Sequence, residues 1–158
     1  MKNYKIIALS GDGIGPEVVS SAMKVFETIM NNIGGNCIIE YRPIGGVSYD
    51  EYGVPLTYEV LQECKQSDAV FLGAVGGPKW DDLPQELKPE KALLDLRKEL
   101  NLFSNIRPAK VYDSLLDSSS LKSEKIKGSD LIVVRELTGG IYFGEPRGKD
   151  QNKAWNTL

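Results

Sequence analysis

Five arginines stand against fourteen lysines in this chain of 158 residues, and Arg97, Arg107 and Arg135 share one 39-residue stretch. A guanidinium offers a planar fork of N–H donors that matches a carboxylate through two parallel hydrogen bonds, which an ammonium cannot do. In a lysine-rich chain, such clustering points to recognition of planar anions rather than to general surface charge. Arg135 closes the apolar run Leu131-Ile132-Val133-Val134, and Gly139-Gly140 and Ile141-Tyr142-Phe143 follow it. A strand that ends in Arg, turns at Gly-Gly and returns with a Tyr brings a fixed cation close to a phenol. The phenol can donate or accept a proton. The chain has no histidine, so acid–base chemistry falls to Tyr, Lys, Asp or Glu, and Tyr142 is the candidate. The simpler alternative for this stretch is a plain hairpin with a half-buried Tyr and a surface Arg.

A second group lies on the helix expected over Pro89 to Leu100. Glu90, Leu93, Leu94 and Arg97 recur at i, i+3, i+4 and i+7 and so share one face. A carboxylate, two leucines and an arginine on one stripe suit an anion with an aliphatic part. The competing reading is a core stripe edged by surface charge. The loop Gly73-Ala74-Val75-Gly76-Gly77-Pro78-Lys79-Trp80-Asp81-Asp82-Leu83-Pro84 follows an apolar strand directly. It therefore lies at the carboxyl end of that strand, the edge at which open α/β sheets bind ligands. Its glycines permit close backbone approach, and Trp80 can cover an apolar or ring surface. For metal, the candidate oxygen donors are Asp12, Asp81 and Asp82, which form no spaced set on one helical face.

Elements that position these residues are legible from periodicity. Lys5 to Leu9 reads as a buried strand, and Gly11-Asp12-Gly13-Ile14-Gly15-Pro16-Glu17 as a turn into a helix with Pro in its first turn. The G-x-G-x-G spacing is not the G-x-G-x-x-G of a dinucleotide fingerprint. Pro16 also removes one N–H that a pyrophosphate would use, so the turn reads as a sharp strand-to-helix junction near a ligand. Gly34-Gly35 stops the helix. Cys37 to Tyr41 reads as a second strand, Pro43 to Gly46 as a loop, Leu56 to Gln66 as a helix and Asp68 to Gly73 as a third strand. That order predicts an α/β unit with a largely parallel sheet. Leu102 to Arg107 is expected as a strand ending at Pro108, and Asp130 to Arg135 as the strand that feeds the Arg–Tyr stretch. Residues 111–128 read as a solvated connection, and the tail after Gly148 closes no element.

Composition is that of an ordinary globular chain, 41% hydrophobic and 26% charged. The net charge of -3 gives no reason to expect nucleic acid or a membrane surface as partner. No apolar run approaches the length of a membrane span and no signal peptide is evident. Cys37 and Cys64 read as reduced thiols of a cytoplasmic protein.

Five stretches together resemble the isocitrate/isopropylmalate dehydrogenase family, specifically the N-terminal part of its 3-isopropylmalate branch. They are Gly11 through Glu17, Gly76-Gly77-Pro78-Lys79-Trp80, Leu93-Leu94-Asp95-Leu96-Arg97-Lys98, Asn105-Ile106-Arg107-Pro108-Ala109-Lys110, and Arg135 through Gly148, in family order. The resemblance implies NAD-dependent oxidative decarboxylation of 3-isopropylmalate to 4-methyl-2-oxopentanoate in leucine biosynthesis, assisted by Mg or Mn. A sister activity on isocitrate, homoisocitrate or tartrate, or a non-catalytic anion-binding remnant, is the alternative. It implies that Arg97, Arg107 and Arg135 bind the substrate carboxylates, that Glu90, Leu93 and Leu94 line the isopropyl pocket, and that Tyr142 donates a proton. It implies cofactor contact along Gly77-Pro78-Lys79-Trp80-Asp81-Asp82-Leu83-Pro84-Gln85-Glu86-Leu87-Lys88-Pro89-Glu90. It also implies a homodimer paired through an arm at Tyr142 and beyond. The implied fold is the two-domain α/β architecture of that family, here truncated. Residues 1–100 would be the first part of a cofactor-side domain. Residues 101–158 would begin a substrate and dimerisation domain. The metal ligands and a catalytic lysine are expected beyond Leu158, so the chain alone is expected to be inactive.

Overall fold

The computed structural model describes residues 3–137, 139 and 144–156. It divides into two compact units, Met1–Leu100 and Asn101–Leu158.

In the first unit, strands β1 (Asn3–Gly11), β2 (Asn36–Arg42) and β3 (Ala69–Ala74) form a parallel sheet in the order β2-β1-β3. β1 is central, with Ile7 beside Glu40 on one side and Val70 on the other. Alternate side chains of β1 leave on opposite faces, and each face has its own apolar cluster. Ala8 packs with Val19 and Met23 of helix α1 (Gly15–Asn32), joined by Phe26, Ile39 and Phe71. Ile7 and Leu9 pack on the other face with Ile44, with Val60 and Cys64 of α3 (Tyr58–Lys65), and with Ala92 and Leu96 of α4 (Pro89–Glu99). The result is the expected helix–sheet–helix sandwich. Both cysteines are free thiols.

One element departs from expectation. Gly46–Tyr52 forms a two-turn helix, α2, where the glycines and Pro43 suggest only loop. Its sequence has no strong apolar period and its N-cap, Gly45, has no side chain to cap with. The acceptor for its first amides comes instead from Asp12, 34 residues upstream.

In the second unit, β4 (Ser104–Lys110) pairs antiparallel with β5 (Asp130–Glu136). β4 does not end at Pro108: that residue sits opposite Ile132 and the ladder continues to Lys110. A two-stranded ribbon has only edge strands, where a proline lacking an N–H is tolerated. The link between these strands holds a 3-10 turn (Asp113–Ser118) and a short helix α5 (Ser123–Ile126). The tail contains a small ribbon of β6 (Gly148–Lys149) and β7 (Ala154–Trp155), so it does close an element. No helix among the described residues is long and apolar enough to cross a membrane.

Candidate functional site

The Arg-bearing ribbon of the second unit places its chemistry on one face. Directly opposed residues of an antiparallel pair point to the same side, as do residues two apart on one strand. The register opposes Asn105 to Arg135 and Arg107 to Val133. Asn105, Arg107, Val133 and Arg135 therefore share a face, with the two arginines diagonal neighbours, about 7–8 Å apart at the backbone. Arg107 is exposed, and its Nε donates to Oδ1 of Asn105 at 2.8 Å. That bond uses the inner corner of the guanidinium. It does not engage the two terminal nitrogens, whose fork arrangement can take a carboxylate. Asn105 was missed as a site residue in the sequence, although strand alternation alone puts it beside Arg107.

Arg97 belongs to the first unit, near the end of α4. On that helix the core is taken by Pro89, Ala92 and Leu96, all buried. Leu93, Leu94 and Arg97 are half-buried, and Glu90 is exposed. The stripe of Glu90, Leu93, Leu94 and Arg97 is thus not the core stripe of α4.

The segment Gly77 to Glu90 lies between β3 and α4 and contains two 3-10 turns, Pro78–Trp80 and Gln85–Leu87. It is anchored rather than loose. Trp80 donates its indole N–H to Asp50 Oδ1 at 3.1 Å, and Lys79 Nζ donates to Asp50 Oδ2 at 2.5 Å. The Lys79 hydrogen bond, then that of Trp80, holds the Asp50 carboxyl below its usual range. One indole face rests on Gly46, where a Cβ would lie 2.2–2.4 Å from three ring atoms. Farther along, Lys88 Nζ donates to the Asp81 carbonyl at 2.8 Å.

At the start of this segment stands Asp12, whose side chain is 1% exposed. Its Oδ2 accepts from the amides of Gly46 and Gly76 and its Oδ1 from that of Val47, each at 2.8 Å. A buried carboxylate is costly unless its oxygens are bonded, and here three amides answer it. The remaining geometry of the turn is equally closed. Asp12 N–H donates to the Ala74 carbonyl and Gly15 N–H to that of Asp12. A Cβ on Gly11 would lie 1.9 Å from the Ala74 oxygen, which requires glycine there. The turn is a backbone junction with a buried negative charge, not a phosphate cradle. Asp12 is likewise occupied by amides and is withdrawn from the candidate metal donors.

Tyr142, the candidate proton donor, lies outside the described residues. Among the described residues no three Asp, Glu, Cys or His side chains gather as a metal site.

The isocitrate/isopropylmalate dehydrogenase family model matches residues 5–158. The chain belongs to that family. It is 58% identical over 155 residues to a 3-isopropylmalate dehydrogenase of Chlorobium luteolum, covering 98% of this chain and 44% of the relative. It is 58% identical over 150 residues to a 3-isopropylmalate dehydrogenase of Aquifex aeolicus, covering 94% of this chain and 41% of the relative. Among solved structures it resembles a β-decarboxylating dehydrogenase from Thermococcus kodakarensis with a TM-score of 0.67 and 33% identity, over 98% of this chain and 40% of that one. An isocitrate dehydrogenase from Methylococcus capsulatus gives 0.68 and 26%, over 98% and 41%. The chain thus spans less than half the length of these relatives. The α/β fold with its parallel sheet and flanking helices is that of the family.

Proposed function

We propose that this chain carries the substrate-carboxylate clamp and one cofactor wall of an NAD-dependent 3-isopropylmalate dehydrogenase. The observation that carries the reading is the shared ribbon face on which Asn105 sets the Arg107 fork beside Arg135. The names of the relatives at 58% identity support the substrate. Arg97, Arg107 and Arg135 bind the two malate carboxylates, while Leu93 and Leu94, with Glu90 at their margin, receive the isopropyl group. A third carboxylate against those leucines would lose its hydration with no polar partner from either side chain, which disfavours isocitrate. Tyr142 returns a proton to the enol left by decarboxylation. Loss of CO2 from the oxidised substrate, followed by that protonation, gives 4-methyl-2-oxopentanoate, the keto acid of leucine, a reaction of leucine biosynthesis.

NAD supplies the hydride acceptor when bound. The described residues fit it on one side: Gly77 to Glu90 forms an anchored loop at the carboxyl edge of β3, within which Trp80 stays half-exposed. The Gly11-to-Gly15 turn does not fit the pyrophosphate, because a buried carboxylate occupies it. The described residues do not fit a complete Mg or Mn site either, so in this reading the ion draws its ligands from the rest of the enzyme. The same reading carries a cytoplasmic homodimer, with residues 1–100 as the first part of the cofactor-side domain and 101–158 as the start of the substrate and dimerisation domain.

The test is NAD reduction with 3-isopropylmalate and Mn, assayed for the chain alone and for the chain completed by the C-terminal part of a family enzyme. The expected result is turnover only in the completed form, with isocitrate at least about a hundredfold poorer in kcat/KM. Comparable turnover of isocitrate would favour the sister activity, and no turnover of either acid in the completed form would favour an anion-binding remnant.

A further inference from the structure

We infer that Asp12 is a positioning residue for the cofactor segment, acting through backbone amides and touching no ligand. The inference rests on the reading of Gly77 to Glu90 as that segment. Both anchors of the segment lead back to this one carboxylate. Gly76, the residue immediately before it, donates its amide to Asp12 Oδ2. Asp50, which holds Lys79 and Trp80, sits on α2, and the first two amides of α2, Gly46 and Val47, are given to Asp12. Gly46 is in turn the surface on which the Trp80 ring rests. The fit leaves no slack. A Cβ on Gly45 would lie 2.4 Å from Asp12 Oδ2, and Gly76 holds φ at +101° with the Glu90 carboxylate 2.4 Å from where its Cβ would be. The carboxylate is therefore enclosed by backbone and fixes the start of the segment relative to α2.

The charge itself matters, because the three donors divide between two oxygens. Asp12→Asn keeps the volume but turns one oxygen into a donor. At least one of the Gly46, Val47 and Gly76 amides then faces another N–H, and bonds to a charged acceptor are among the stronger ones lost.

The experiment has two arms. In the wild-type chain, NMR couplings transmitted through hydrogen bonds should connect the Gly46, Val47 and Gly76 amide nitrogens to the Asp12 carboxylate carbon. In Asp12→Asn, amide exchange at one or more of these three positions should accelerate at least about tenfold, while Ile7, Ala8 and Leu9 in β1 keep their protection. In the completed enzyme, KM for NAD should rise by about tenfold, with kcat and KM for 3-isopropylmalate within about threefold of wild type. Missing couplings, unchanged exchange at all three amides, or equal losses in kcat and both KM values would overturn the assignment. If the substitution prevents folding, the wild-type couplings alone decide whether the carboxylate holds all three amides. If the completed enzyme turns over no substrate, exchange and couplings still test the positioning role, and the functional reading falls separately.

Discussion

Arg107→Lys is the sharpest perturbation of the proposed clamp. In the structure the Nε of Arg107 is held by Asn105 Oδ1 at 2.8 Å, which leaves the two terminal nitrogens to take a carboxylate side by side. Lysine keeps the charge but offers one point donor, and its nitrogen has no second arm with which to answer Asn105. The change therefore removes one of two charge-assisted bonds to the substrate, each contributing about 1.5–3 kcal/mol. That converts to a loss of roughly ten- to a hundredfold in kcat/KM for 3-isopropylmalate. Asn105→Ala leaves the fork intact but free to rotate. Because Arg107 is exposed and water replaces the lost acceptor, the expected loss is smaller, about threefold to tenfold. The assay is initial-rate NADH formation in the completed enzyme over a range of 3-isopropylmalate concentrations, with NAD saturating. The order Arg107→Lys worse than Asn105→Ala worse than wild type follows from the geometry. Wild-type kinetics for Arg107→Lys would refute the fork, and a larger loss for Asn105→Ala than for Arg107→Lys would refute the assignment of Asn105 as its orienting partner.

Two further predictions follow. Tyr142→Phe should lower kcat far more than it changes substrate KM, since a phenol that returns a proton acts after binding; equal losses in both, measured by steady-state kinetics, would make Tyr142 a binding group. Burial, with a smaller contribution from Glu63, pushes the Cys64 thiol up to about 11 from an ordinary value of 9.0. The folded chain thus holds that proton more tightly than the unfolded one, so the linked stability is complete below about pH 9 and is lost as pH rises through about 11. Urea titrations at pH 8 and pH 11 should show this loss in wild type and a smaller one in Cys64→Ala, and a thiol reagent should label the half-buried Cys37 well before Cys64.

Some of this protein was written locally. Strands β1, β2 and β3, helices α1, α3 and α4 and the parallel sheet follow from apolar runs punctuated by Gly and Pro, because each of these elements carries its signal in local composition or in the period of its side chains. Arg97, Arg107 and Arg135 stood out because guanidinium chemistry is specific enough to be visible in a count. The exclusion of a dinucleotide turn was available from the spacing of Gly11, Gly13 and Gly15 and from Pro16.

Other features depend on partners far away in the chain. Helix α2 has no cap of its own, and its first amides are satisfied by Asp12, so nothing between Gly45 and Tyr52 announces a helix. Asp12 looked like a free oxygen donor until the fold closed three amides from sequence-distant loops around it. Trp80 looked like an open ring until Gly46 and Asp50 were brought beneath it. Whether the stripe of Glu90, Leu93, Leu94 and Arg97 is core was also undecided; burial of Ala92 and Leu96 against Ile7 and Leu9 put the core on another face of α4 and left Leu93 and Leu94 half-buried. The sequence alone determined most of the first unit's elements and the charged chemistry, whose signals lie within one turn or one strand. Only tertiary structure decided which carboxylates are free and which face is open, because both depend on hydrogen bonds and contacts made across the chain.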